Sequence, residues 1–131
     1  MTERPLSPHL SVYRMHRYTL LASITNRAAG LVLSAGLILL VYWLVAVASG
    51  ESAYRGARYV LSLGVLKAVY VILLAAFSYH LIAGIRHLIW DTGVGLERAQ
   101  AKRSAAIVVI ASILLLAGLA WWALHAGGHA S

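Results

Sequence analysis

Ala28-Ala-Gly-Leu-Val-Leu-Ser-Ala-Gly-Leu-Ile-Leu-Leu-Val-Tyr-Trp-Leu-Val-Ala-Val-Ala-Ser-Gly50 contains no charge over its 23 residues. As an α-helix rising about 1.5 Å per residue, it is long enough to cross about 30 Å of hydrocarbon. Two comparable runs follow. Residues 59–85 are interrupted only by Lys67 and His80, and residues 105–124 carry no charge at all. Helices joined by short connections pack antiparallel. The pattern predicts an all-α membrane protein with three transmembrane helices, at about 28–50, 59–86 and 104–124. It forms one membrane domain over 1–131, in which 1–27 is a polar N-terminal segment.

Composition agrees with lipid as the solvent. The chain is 61% hydrophobic and only 11% charged, against about 25% charged residues in soluble domains. With no cysteine, disulfides, thiolate metal sites, iron–sulfur ligation and cysteine nucleophiles are excluded. The net charge of +7 does not point to nucleic acid, because the basic residues flank apolar spans and form no patch interleaved with aromatics. They carry topological information instead. Arg4, Arg14, Arg17 and Arg27 precede the first span, and Arg86, Arg98, Lys102 and Arg103 lie between the second and third. The other connection holds only Arg55 and Arg58. Positive charge is retained on the cytoplasmic side, so the N-terminus is expected in the cytoplasm and the C-terminus on the opposite, periplasmic side. A cleaved leader is not expected, since a long polar stretch precedes a first apolar run longer than a signal core.

His80 is the residue that asks for a function. An ionisable side chain at membrane depth needs a partner or a task, and imidazole is a common axial ligand of haem iron. Six residues separate it from Arg86, which places it about 9 Å inside the expected cytoplasmic boundary. Lys67, about 20 Å the other way, reads as a lysine snorkelling to the far interface, about two turns into its span. His87 is two turns along the same helix and cannot reach the opposite side of an iron held by His80. His9 and His16 lie in the polar segment, and His125 and His129 at the other membrane face. A six-coordinate haem on His80 would therefore take its second ligand from another chain. The alternative is a histidine hydrogen-bonded to a neighbouring helix, with Ser78 and Tyr79 as possible local polar partners. Gly84, on the same face, would let a macrocycle or another helix approach.

A second candidate is Ser23-Ile-Thr-Asn-Arg-Ala-Ala-Gly30. Ser23 and Arg27 are four residues apart on one helical face and offer a hydroxyl and a fixed cation to a quinone headgroup. The competing reading is a helix cap with Arg27 at the lipid headgroups. Asp91 can cap its helix or pair with Arg86 or with another subunit.

Taken together, these segments resemble a known family. Arg4-Pro-Leu-Ser-Pro-His-Leu-Ser-Val-Tyr13 is similar to the opening of the cytochrome b-type large membrane-anchor subunit of succinate dehydrogenase (complex II). Ser23-Ile-Thr-Asn-Arg-Ala-Ala-Gly30 resembles its Ser-x-x-His-Arg-x-x-Gly signature, and Tyr79-His-Leu-Ile-Ala-Gly-Ile-Arg-His-Leu-Ile-Trp-Asp91 its His-x-x-x-Gly-x-Arg-His-x-x-x-Asp signature. The resemblance implies a non-catalytic anchor in the respiratory chain and tricarboxylic acid cycle, bound to a flavoprotein, an iron–sulfur subunit and a second anchor. It implies a b-type haem shared with that second anchor, with His80 as this chain's axial ligand, and a ubiquinone-reduction site that includes Ser23 and Arg27. Arg27 would also approach the haem propionates, and Arg86 is a further candidate for them. Asn26 stands where the family usually has histidine; its amide can still donate a hydrogen bond but carries no charge. The expected location is a bacterial inner membrane, ahead of a mitochondrial one. The anchor of a fumarate reductase, or a structural or transport subunit without haem, are the alternatives.

Overall fold

The computed structural model describes residues 17–126. The N-terminal motif at 4–13, His9, His16 and His129 lie outside the described residues. Four helices follow in order: α1 (Arg17–Ala48), α2 (Glu51–Leu61), α3 (Gly64–Asp91) and α4 (Arg98–Ala126). Three of them, α1, α3 and α4, are long and apolar enough to cross a membrane.

Each long helix extends beyond the charge-free run that announced it. α1 begins ten residues before Arg27, and α3 continues through Arg86 to Asp91. The backbone ladder is indifferent to side-chain charge, so a helix carries on through the interface where a hydropathy reading stops. The polar segment assigned to 1–27 is thus helical from Arg17 onward.

The connection between the first two spans is the main departure from expectation. It is an amphipathic helix, α2, entered through Gly50 at φ +100°, a left-handed conformation that favours glycine. Ala53, Tyr54, Ala57 and Leu61 are its less exposed positions, and Ala57 is buried. Glu51 and Arg55 pair across one exposed turn at 3.5 Å. The apolar run from residue 59 hides a break after α2. Ser62 Oγ donates to the Tyr59 carbonyl at 2.7 Å and Tyr70 Oη to the Leu61 carbonyl at 3.0 Å, capping the end of α2 before α3 starts. Lys67 accordingly sits in the first turn of α3 and is exposed, not two turns deep.

Packing depends on small residues. The buried positions are Ala29, Ala46, Ala57, Ala83, Val108, Ser78, Ser112 and Arg86. In lipid there is little hydrophobic gain from hiding leucine, so helices associate where small side chains let backbones approach. Ser78 and Ser112 return their hydroxyls to the carbonyls four residues earlier, at 2.9 and 2.6 Å, which satisfies them inside the bundle. α3 is central and packs on both α4 and α1. Leu31, Ile38, Leu88, Leu114 and Trp122 point outward, as side chains facing lipid or a partner helix do.

The candidate ligand and quinone site

The antiparallel arrangement gathers the start of α1, the end of α3 and the start of α4. Tyr79 Oη donates to the Ala22 carbonyl at 3.3 Å, joining α3 to α1. Arg86 joins α3 to α4, its Nε donating to Ser104 Oγ at 2.9 Å and its Nη2 to the Ala101 carbonyl at 3.0 Å. Every candidate named from sequence lies at this end of the bundle.

His80 is partly buried and meets α1. Its Nδ1 is 3.2 Å from the carbonyl oxygen of Asn26. A carbonyl can only accept, so Nδ1 carries the proton and Nε2 keeps its lone pair. A main-chain carbonyl on Nδ1 is the usual outer support of a metal-binding histidine; it fixes the tautomer and raises ligand basicity. The predicted local partners, Ser78 and Tyr79, are engaged elsewhere, with Leu74 and Ala22.

Beside the imidazole opens a cavity of about 440 Å³ between α1 and α3, lined by Gly30, Leu33, Ser34, Leu73 and Phe77 among others. Its wall is apolar apart from Ser34 and His80, and the Ser34 hydroxyl is already bonded to the Gly30 carbonyl at 2.9 Å. An imidazole lining an apolar hollow suits a flat, largely apolar metal-bearing ligand. Among the described residues the other histidines are His87, packed edge-on against Trp90, and His125, stacked on Trp121. Neither shares the level of His80.

Ser23 and Arg86 come together in a second, smaller cavity of about 160 Å³, with Thr19, Tyr79, His87 and Trp90. The Arg86 guanidinium lies over the Trp90 ring at 3.8 Å, and its bonds to α4 hold it there. Arg86 therefore serves as a buried tie between helices. It turns toward α4, and Asp91 is exposed. Arg27 is exposed on α1 and lines neither cavity. Asn26 gives its carbonyl to His80, while its side-chain Oδ1 is buried without a hydrogen-bond partner. An orphaned acceptor of this kind marks a place where a hydrogen-bond donor would be satisfied.

Gly84 is not where helices of this chain approach. A Cβ built there meets nothing within 4 Å, whereas one at Gly30 lies 3.1 Å from His80 Cε1, and one at Gly36 collides with the Leu73 side chain. The signature glycine at 30 carried this signal in the sequence, but its contact partner lies 50 residues away and only the fold reveals it.

Three helices long and apolar enough to cross a membrane define a multi-pass helical membrane protein. The succinate dehydrogenase/fumarate reductase transmembrane subunit family matches residues 1–120. The cytochrome b556 subunit of succinate dehydrogenase from Paracoccus denitrificans is 39% identical over 112 residues, covering 86% of this chain and 85% of that one. That of Rickettsia felis is 34% identical over 113 residues, covering 86% and 87%. The human mitochondrial cytochrome b560 subunit is 33% identical over 121 residues, covering 91% and 71%. The chain belongs to the succinate dehydrogenase/fumarate reductase transmembrane subunit family and is a membrane-anchor subunit of complex II.

Proposed function

We propose that this anchor binds b-type haem jointly with a second anchor subunit and forms part of a ubiquinone-reduction site. The observation that carries the reading is the 3.2 Å contact of His80 Nδ1 with the Asn26 carbonyl, which leaves Nε2 as the coordinating nitrogen. The chemistry of the donor set fits haem: one neutral imidazole, an apolar hollow beside it, and polar groups toward the end of the bundle. A second ligand to the haem would come from the other anchor, because no described histidine shares the level of His80.

The roles of the residues follow from their positions. His80 holds iron, and Asn26 orients His80 through its main chain. A propionate would be met by the Asn26 side-chain NH2, which can donate, with Arg27 as the accompanying cation. Ser23, at the mouth of the smaller cavity with Tyr79 beside it, offers a hydroxyl to a quinone oxygen. Arg86 supports this cavity from behind through Trp90. When bound, haem would supply a one-electron centre.

The partners on this reading are the second anchor, the iron–sulfur subunit and the flavoprotein that carries the succinate chemistry. The iron–sulfur subunit docks on the cytoplasmic end, where Arg98 and Lys102 lie beside Tyr18 at the start of α1. The excess of basic residues at that end supports a cytoplasmic N-terminus in a bacterial inner membrane. Relatives named as succinate dehydrogenase subunits favour succinate oxidation over fumarate reduction.

The test is a reduced-minus-oxidised optical spectrum of the purified complex and of its His80→Ala variant. The low-spin b-type signal is expected to disappear or become high-spin in the variant. A signal that persists unchanged removes His80 as a ligand.

A further inference from the structure

Gly30 and Asn26 are four residues apart, one turn of α1, and both touch the imidazole of His80. The Asn26 carbonyl receives Nδ1–H at 3.2 Å. Gly30 lies against the Cε1 edge of the ring, where a built Cβ comes within 3.1 Å of Cε1, 3.6 Å of Nδ1 and 3.9 Å of Nε2. All three distances run to the edge that carries both nitrogens, so that edge is seated against the backbone of α1. We propose that Gly30 is a positioning residue for His80: by having no side chain, it seats the imidazole on α1 in the one rotation that keeps Nδ1 on the Asn26 carbonyl and Nε2 free to coordinate.

The margins make the position sensitive. At 3.2 Å the Nδ1···O contact is already at the long end of the N–H···O range. A Cβ at 3.1 Å from Cε1 is tighter than most real contacts, so the ring must yield by a few tenths of an ångström. That displacement is enough to take the hydrogen bond out of range. Losing it lowers the basicity of the imidazole, and a less basic axial ligand stabilises ferric iron less. The reduction potential should then rise.

This inference rests on His80 being a haem ligand, and the experiment separates the two. Gly30→Ala and Gly30→Val complexes are purified with all subunits, and their haem content, low-spin EPR g-values and haem midpoint potential are compared with wild type and His80→Ala. Gly30→Ala is expected to keep haem while shifting the g-values and raising the potential. Gly30→Val, with two further methyl groups against the ring, is expected to lose most of the haem. Gly30→Ala, the smaller change, decides the matter should the valine variant fail to assemble. Wild-type g-values and potential in Gly30→Ala, alongside loss of the signal in His80→Ala, would overturn the role of Gly30 and leave the ligand standing. Persistence of the signal in His80→Ala would overturn both.

Discussion

His80 shows how much of a site can depend on one main-chain atom. The imidazole has two nitrogens, and the Asn26 carbonyl decides which of them keeps a lone pair. Asn26 thus acts through its backbone, which any residue at that position would supply, whereas its side-chain Oδ1 is a buried acceptor without a donor. Arg27, next in the chain, is exposed, and its guanidinium has access to ligands arriving from lipid or from another subunit. Arg27→Ala is expected to lower succinate–quinone turnover by about tenfold or more, since a hydrogen bond to a charged group contributes about 1.5–3 kcal/mol. Succinate oxidation with an artificial electron acceptor should stay intact. Comparing the two assays on one preparation checks this, and unchanged quinone turnover would remove Arg27 from the site.

At the scale of elements, α1 and α3 meet through Gly36 as well as Gly30. Gly36 borders the hollow beside His80 and a further cavity of about 310 Å³ reaching Trp43, Leu61 and Tyr70. An alanine there displaces only the flexible end of Leu73, which the neighbouring space can accommodate. A branched side chain is different. Gly36→Ile is expected to force the helices apart at a cost of about 1–3 kcal/mol, the usual penalty for overpacking. Thermal denaturation of the detergent-solubilised complex measures it, and Gly36→Ala serves as the mild member of the series. An isoleucine variant as stable as wild type would show that α1 and α3 do not depend on this approach. The helix α2 follows the same logic of small contacts, docking on α1 with Ala57 buried while its charged positions stay exposed.

For the whole molecule, the distribution of charge makes an orientation prediction. Eight of the eleven basic residues fall at the end formed by the N-terminal segment and the α3–α4 connection. That end is expected in the cytoplasm. A periplasmic-active phosphatase fused after residue 131 should be active, and a fluorescent protein that matures only in the cytoplasm should be dark at the same site. The reverse pair of results would invert the topology. Because large apolar residues cover much of the outer surface, the subunit is built to be covered by lipid and by neighbouring helices.

Three spans and their order were legible from the sequence, because charge-free length is a local property. His80 likewise stands out there as an isolated intramembrane imidazole, and the expectation that a second chain completes a haem site rests on the spacing of His80 and His87 along one helix. Other features depended on tertiary structure. α2 was hidden because the apolar run beginning at residue 59 passes through its break, which side-chain bonds from Ser62 and Tyr70 stabilise. Arg86 looked like a boundary residue, yet partners on α4 draw it into the bundle. Gly84 looked like the point of close approach, but that role falls to Gly30 and Gly36. The physical reason is common to all three: hydropathy records what a residue prefers as solvent, while the partner that satisfies a donor or fills a hollow comes from another helix.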